Sequence, residues 1–397
     1  MSTSLSSISI SNRLVGPGHP VYFIADIAAN HCGSLTKAKE LIHACRESRA
    51  DAVKMQNFAA ETIVSDHGFT TLRNISSHQS RWKQSVFDVY KAASIPLEWT
   101  LELKELCQKL GLHYFTSPYS LELVSAVAPH VCAFKLGSGD LTWHEEIAAM
   151  CSTGKPVIMA TGASSLEEVK EAMAVASLYD APILLMQCNT EYTAQPGESR
   201  EKQLERFRHI NLRVLATYSQ QWPSIPLGLS DHTHGNTTVI GAVGLFQCCA
   251  VEKHFTIDNS LEGPDHAFSM TPAAWLAMVR STEALRAALP PDGSGSPEDR
   301  FAITESFADD PEALRLAIGD GIKRVEANES NTVVIQRRAI RTTRELPAGH
   351  AICREDLIPL RPCPTDALPP HQIHLLLGRT LARHLPAGEC VRPADLL

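Results

Sequence analysis

The sequence has no Cys-x-x-Cys pair, no apolar run approaching the ~20 residues of a membrane span, and no excess of basic charge. Eleven scattered cysteines, an odd number, fit reduced thiols in a cytoplasmic protein rather than a disulfide framework. Several, such as Cys132, Cys248 and Cys249, sit inside apolar runs, where cysteine acts as a small core residue. A net charge of −8 and a pI near 6.1 give no reason to expect a nucleic-acid partner. The Ser-rich stretch Met1–Ser11 lacks a charged n-region and an apolar h-region, so no signal peptide is expected. With no membrane span either, the sequence predicts a cytoplasmic location. No Gly-x-Gly-x-x-Gly follows the first apolar run, which removes the main support for a nucleotide-binding open sheet.

What is present is an α/β chain of 397 residues with ordinary hydrophobic content, 44%. Eight short runs, many of them rich in β-branched residues, read as strands: Tyr22–Ala29, Ala52–Phe58, His113–Ser117, Ala133–Gly137, Pro156–Thr161, Ile183–Cys188, Leu227–Ser230 and Cys248–Phe255. Their apolar residues fall on both parities, as in parallel strands buried on both faces. Helical periodicity separates them at Ser34–Arg49, Leu97–Leu110, Leu121–Ala128, Ser164–Leu178, Gly235–Phe246 and Thr271–Ala288. Eight such β-then-α units predict a (β/α)8 TIM barrel over residues 1–290. The connection 59–96, with Arg73, His78, Arg81, Trp82, Lys83 and Tyr90, is long for a compact domain and is expected to fold over the barrel mouth.

Pro290-Pro291-Asp292-Gly293-Ser294-Gly295-Ser296-Pro297 marks a boundary, and 291–331 reads as a linker with one charged helical stretch, Asp310–Asn328. Residues 332–397 then change to short extended runs and Gly/Pro turns, predicting a small, mostly β domain. It carries a pseudo-repeat: Leu346-Pro347-Ala348-Gly349 before Asp356-Leu357, and Leu385-Pro386-Ala387-Gly388 before Asp395-Leu396.

The barrel reading places the active face at the strand ends. Clusters there include Asp26, Asn30 and His31; Lys54, Gln56 and Asn57; Thr116 and Ser117; Lys135, Ser138 and Asp140; Thr161; Asn189, Thr190, Glu191 and Tyr192; Ser230, Asp231 and His232; and Glu252, Lys253 and His254. A single histidine is ordinarily a surface or satisfied core residue. His232 and His254 share a context, a strand end beside a carboxylate, which suits two ligands of one divalent metal. Lys54 and Lys135 lie in apolar strands, where an unpaired ammonium is costly. Each needs an anionic partner, either a protein carboxylate or a bound phosphate or carboxylate ligand.

Ala25–Gly33, Asp51–Phe58, Phe134–Asp140, Gly228–Thr233, Val251–Asp258 and Gly263–His266, in this order, resemble the sialic acid synthase family, whose members make N-acetylneuraminic, legionaminic or pseudaminic acid-type sugars. The tail with Arg361-Pro362 is similar to that family's C-terminal antifreeze-like (SAF-type) domain. The resemblance implies a transferase that condenses phosphoenolpyruvate with an N-acylated hexosamine into a nine-carbon 2-keto sugar acid, releasing phosphate by C–O cleavage. It implies a divalent metal, typically Mn2+ with Mg2+ or Co2+ as alternatives, on His232 and His254, acting as a Lewis acid on the sugar aldehyde. By the same resemblance Lys54, Lys135, Ser117, Ser138 and Thr190 serve the phosphoenolpyruvate pocket, the two lysines as catalytic residues, and Ser230 is a substrate-binding residue. Asp140 assists water addition and proton transfer. Asp26, Gln56, Tyr192 and Asp265 stand at positions close to sugar or phosphate. Arg361 matches an arginine that reaches into the partner subunit's site, which implies a domain-swapped homodimer.

The chain departs from the family pattern at several positions. Asp26 replaces a common Glu, Asn57 a usual Thr, Ala160 a Ser of some relatives and Thr190 an Asn, and Cys363 follows Arg361-Pro362 where a Gly is frequent. These bear on which sugar is accepted: N-acetylmannosamine or a 2,4-diacetamido-trideoxyhexose. The alternatives are another metal-dependent phosphoenolpyruvate-condensing barrel, or a non-catalytic sugar-binding protein that would leave the buried lysines and histidines without a role.

Overall fold

The structure, a computed structural model, describes residues 7–72, 79, 82, 84–192, 198–290 and 295–397. A short hairpin, β1 (Ile8–Ile10) and β2 (Arg13–Val15), comes first. Eight strands follow: β3 (Tyr22–Asp26), β4 (Ala52–Asn57), β5 (His113–Pro118), β6 (Phe134–Leu136), β7 (Val157–Ala160), β8 (Ile183–Cys188), β9 (Leu227–Asp231) and β10 (Ala250–His254). All are parallel, and β10 pairs with β3 to close the barrel. The eight runs read from the sequence are these strands, with helices between them. Serines open several of the helices as expected. The Ser34 hydroxyl accepts from the Lys37 N–H, and Ser165 forms a reciprocal capping box with Glu168.

The N-terminal hairpin was not foreseen. Its strands are too short to show a period, yet Ile8, Ile10 and Val15 join the main core, and the Arg13 guanidinium pairs with Asp51 just before β4.

The segment read as a linker holds helices Pro297–Ser306 and Pro311–Ile318, seated on the barrel helix Thr237–Phe246. The close approach needs glycine. A β-carbon on Gly241 would meet Leu314 at 2.6 Å, and one on Gly244 would meet Thr304 at 2.4 Å. The expected helical stretch Asp310–Asn328 is shorter than read. It stops at Ile318 because Gly319 turns to φ +67 against Asn211, and helix returns only at Ala327–Glu329 and Ser330–Gln336.

The long connection after β4 contains helices Ala60–Ile63, Asp66–Thr71 and Val86–Ala93, whose Phe69, Val86, Phe87 and Tyr90 pack around Phe58 and Tyr119. Arg73, His78, Arg81 and Lys83 lie outside the described residues. The C-terminal domain pairs β11 (Ala339–Thr342) with β12 (Leu357–Leu360) over its own small core. Its two Leu-Pro-Ala-Gly copies face each other, Leu346 and Leu385 exchanging N–H···O bonds of 2.9 Å. The domain sits on the connection after β4, where the Ser65 N–H donates to the Arg361 carbonyl at 2.8 Å and the Arg361 N–H to the Ile63 carbonyl at 2.9 Å. Among the described residues no helix is long and apolar enough to cross a membrane.

Candidate active site

Strand register builds the floor of the site. β10 pairs His254 with Asp26 and Glu252 with Ile24, while β4 sets Lys54 opposite Asp26. Lys54 Nζ lies 2.7 Å from Asp26 Oδ2 and 3.2 Å from Glu252 Oε1, and Lys135 Nζ lies 3.4 Å from the same Glu252 oxygen. The Ser230 hydroxyl donates to that oxygen at 3.2 Å. Each lysine therefore has a protein carboxylate as partner, the outcome the sequence left open. Glu252 is the hub that sequence reading placed at a strand end without giving it a role.

The electrostatics follow from burial and these contacts. Burial pushes the Glu252 carboxyl up, but Lys135 and Lys54 together outweigh it and hold it at about 2. Burial raises Asp26, with Lys54 opposing. Lys135 is lowered by burial despite Glu252, whereas in Lys54 the carboxylates Asp26 and Glu252 overcome burial and raise it.

His232 and His254 stand with ring centroids 5.4 Å apart, and the Tyr192 ring meets His232 edge-on at 4.5 Å. Burial lowers His232 to about 4 and His254 to about 3, so both imidazoles are neutral at physiological pH. His232 Nδ1 lies 2.9 Å from the Asn189 carbonyl, which can only accept. The proton is therefore on Nδ1, and Nε2 carries a free lone pair. The buried Nδ1 of His254 has no hydrogen-bond partner. Two neutral imidazoles with uncommitted nitrogens are a donor set that suits a divalent metal. Among the described residues no third His, Cys, Asp or Glu completes a three-residue metal cluster.

Above this floor opens a cavity lined by Gln56, Ser138, Thr190, Tyr192, His254, Asp265 and Arg361, with an apolar wall of Phe58, Ile63, Val89 and Ala93. Asp26, Lys54, Ser117, Lys135, Asp140, Ser230 and His232 are buried around and beneath it. Several placements refine the sequence reading. Asp26 spends its carboxylate internally, accepting from the Ala28 N–H at 3.0 Å and from Gln56 at 3.3 Å besides its pair with Lys54. Thr190, expected to receive phosphoenolpyruvate, has both donors on Glu329: its N–H at 2.7 Å and its hydroxyl at 2.9 Å. The Ser138 hydroxyl accepts from the Gly162 N–H at 2.9 Å, while the buried Ser117 hydroxyl has no partner. The Asp265 carboxylate accepts from the Ala29 N–H at 3.1 Å, and burial raises it to about 7.

Asp140 is gripped from both sides. Arg338 Nε contacts Oδ1, and Arg361 Nη2 contacts Oδ2 at 3.1 Å. Arg361 stands in the barrel mouth, placed by its backbone bonds to Ile63 and Ser65. Arg338, Glu329 and Glu146 were missed. Glu329 lies just ahead of the tail domain, and Arg338 lies near its start, in the run Val333–Ala339, which reads from the sequence as short and extended.

Residues 41–293 match the NeuB family model, and residues 337–397 match the SAF domain. The chain belongs to the NeuB family. One relative, the N,N'-diacetyllegionaminic acid synthase of Legionella pneumophila, is 29% identical over 94% of each chain. The spore coat polysaccharide biosynthesis protein SpsE of Bacillus subtilis superposes with a TM-score of 0.75 at 25% identity, over 99% of each chain. The N-acetylneuraminic acid synthetase of Leptospira borgpetersenii aligns at a TM-score of 0.60 and 25% identity, over 73% of this chain and 91% of its own. Like these named synthases, this NeuB-family chain is a synthase, built as a TIM barrel with a C-terminal SAF domain.

Proposed function

We propose that this chain condenses phosphoenolpyruvate with an N-acylated hexosamine to a nine-carbon 2-keto sugar acid and inorganic phosphate. The observation that carries the reading is the joint placement of Lys54, Lys135 and the partnerless Ser117 hydroxyl beside two neutral imidazoles, under a cavity walled by Arg361. The lysines and Ser117 bind the phosphate and carboxylate, which draw on the positive charge that Glu252 otherwise holds. C3 of the enol ester attacks the sugar aldehyde carbon, forming the C–C bond, and the aldehyde oxygen takes a proton. Water adds at the electron-poor C2 while the Asp140 carboxylate receives its proton. The bond from C2 to the phosphorus-bound oxygen then breaks, the departing phosphate takes the proton of the new C2 hydroxyl, and C2 becomes the ketone. His232 and His254 would hold a divalent metal, Mn2+ in this reading, which when bound supplies Lewis acidity to the aldehyde.

The apolar wall of Phe58, Ile63, Val89 and Ala93 favours a 2,4-diacetamido-trideoxyhexose, whose C6 is a methyl group, over N-acetylmannosamine with its C6 hydroxyl. A domain-swapped homodimer, with the C-terminal domain closing the partner subunit's barrel mouth, belongs to this reading. The test is phosphate release and product mass from phosphoenolpyruvate, Mn2+ and a panel of N-acylated hexosamines, run beside His232→Ala and a chelator control. A mass of sugar plus pyruvate, lost in both controls, supports the reading. No product with any acceptor, together with no binding of phosphoenolpyruvate, overturns it.

A further inference from the structure

Arg338 is fully buried, at 0% exposure, and spends its guanidinium on four elements at once. Nη1 donates at 2.8 Å to the carbonyls of Thr62, in the connection after β4, and Pro359, in β12. Nη2 donates at 3.0 Å to the Tyr119 carbonyl after β5, and Nε meets Asp140 Oδ1. The guanidinium also lies over the Trp143 ring, 4.5 Å from its centroid. Few arrangements fix a side chain so completely, and the planar fork of arginine is what allows it.

We infer that Arg338 is a positioning residue of the candidate active site: it pins Oδ1 of Asp140 so that Oδ2 alone faces the cavity. The inference rests on the reading in which Asp140 takes the proton from water. Two observations fix which oxygen is available. Oδ2 meets Arg361, which lines the cavity, and it lies 3.6 Å from where a β-carbon on Gly137, another lining residue, would stand. Arg338 lies behind, out of the cavity, and is anchored by carbonyls of three separate segments. It stays in place if Arg361 turns towards a substrate anion. Glu146 is buried nearby, but both its carboxyl oxygens lack a hydrogen-bond partner, so it does not share the Arg338 guanidinium; burial pushes that carboxyl well above the ordinary range. Two guanidiniums, those of Arg338 and Arg361, contact the Asp140 carboxylate.

Arg354 provides a control. It joins the same domain to the barrel through Glu145 at 2.7 Å, at a half-exposed site, and does not itself contact Asp140. The experiment compares wild type, Arg338→Lys, Arg338→Gly and Arg354→Gln in the full chain, with folding checked by thermal unfolding. Misplacing a catalytic group costs about a hundredfold in kcat, so Arg338→Lys is expected to lose roughly that much with an unchanged KM for phosphoenolpyruvate. Arg338→Gly loses at least as much and is partly restored by added guanidinium ion, while Arg354→Gln keeps the wild-type rate. If Arg338→Gly does not fold, the kcat-against-KM split of Arg338→Lys decides. Wild-type kcat in Arg338→Lys, or an equal loss in Arg354→Gln, overturns the inference. Absence of turnover in wild type removes instead the reading on which it rests, and the inference with it.

Discussion

Gly139 lies directly against the backbone of Gln336: a β-carbon there would stand 2.2 Å from the Gln336 carbonyl oxygen. The contact joins the loop carrying Asp140 to the helix leading into β11. Gly139→Ala is expected to force the two apart, at the ~1–3 kcal/mol typical of overpacking. Limited proteolysis should then release the C-terminal domain from a barrel that remains folded, with loss of turnover. An uncleaved, fully active variant would contradict this.

Glu252 neutralises two buried ammoniums through one oxygen. Glu252→Gln leaves both lysines without that charge, and breaking a buried pair costs about 3–5 kcal/mol. Thermal unfolding should fall accordingly. Because phosphoenolpyruvate would replace the missing anion, it is expected to raise the melting temperature of the variant more than that of wild type. An equal shift in both would argue that the ligand does not approach these lysines.

Asp265 sets a pH dependence. Its folded value, raised by burial to about 7, exceeds the ordinary carboxyl value of about 3.9. A raised acid binds its proton more tightly when folded, so its contribution is full below about 4 and is lost as pH rises through about 7. Asp265→Asn removes the titration. The variant is expected to match wild type near pH 4 relative to its own baseline, and to gain about 2 kcal/mol on it by pH 8, a figure discounted for partial exposure. Chemical denaturation at several pH values reads the difference. A constant offset would sink the assignment.

His232 gives a prediction separate from catalysis. Its Nε2 lone pair is aimed by the Asn189 carbonyl, and losing a ligand of a two-histidine site should weaken Mn2+ binding by at least about tenfold. Electron paramagnetic resonance of free Mn2+ during titration measures this directly in wild type and His232→Ala. Identical isotherms would mean that the imidazole pair holds no metal.

The barrel was legible because its strands are buried on both faces, and doubly apolar runs such as Ile183–Cys188 stand out in any sequence. The floor was legible for a related reason. Lys54 and Lys135 break apolar runs, and such a break must be compensated. The partners were not legible. Glu252 Oε1 serves both lysines only through the register of β10 with its neighbours, which no local pattern encodes. Arg338 and Asp140 are 198 positions apart, and Glu329 reaches Thr190 across 139. In the text each reads as one charged residue among many. The linker helices were misread for the opposite reason: polar solvent faces concealed the few residues, Leu314 and Thr304, that press onto Gly241 and Gly244.

The grip on Asp140 has a consequence for how such a chain can be dissected or recombined. Both cations around that carboxylate, Arg338 and Arg361, lie beyond residue 331, while the carboxylate itself belongs to the barrel. A barrel expressed without its tail would keep a desolvated anion with no counter-ion, so its rim would have to open to water. The tail is thus less an appended module than a removable part of the barrel's own interior, and a tail grafted from another chain would have to bring both guanidiniums in register.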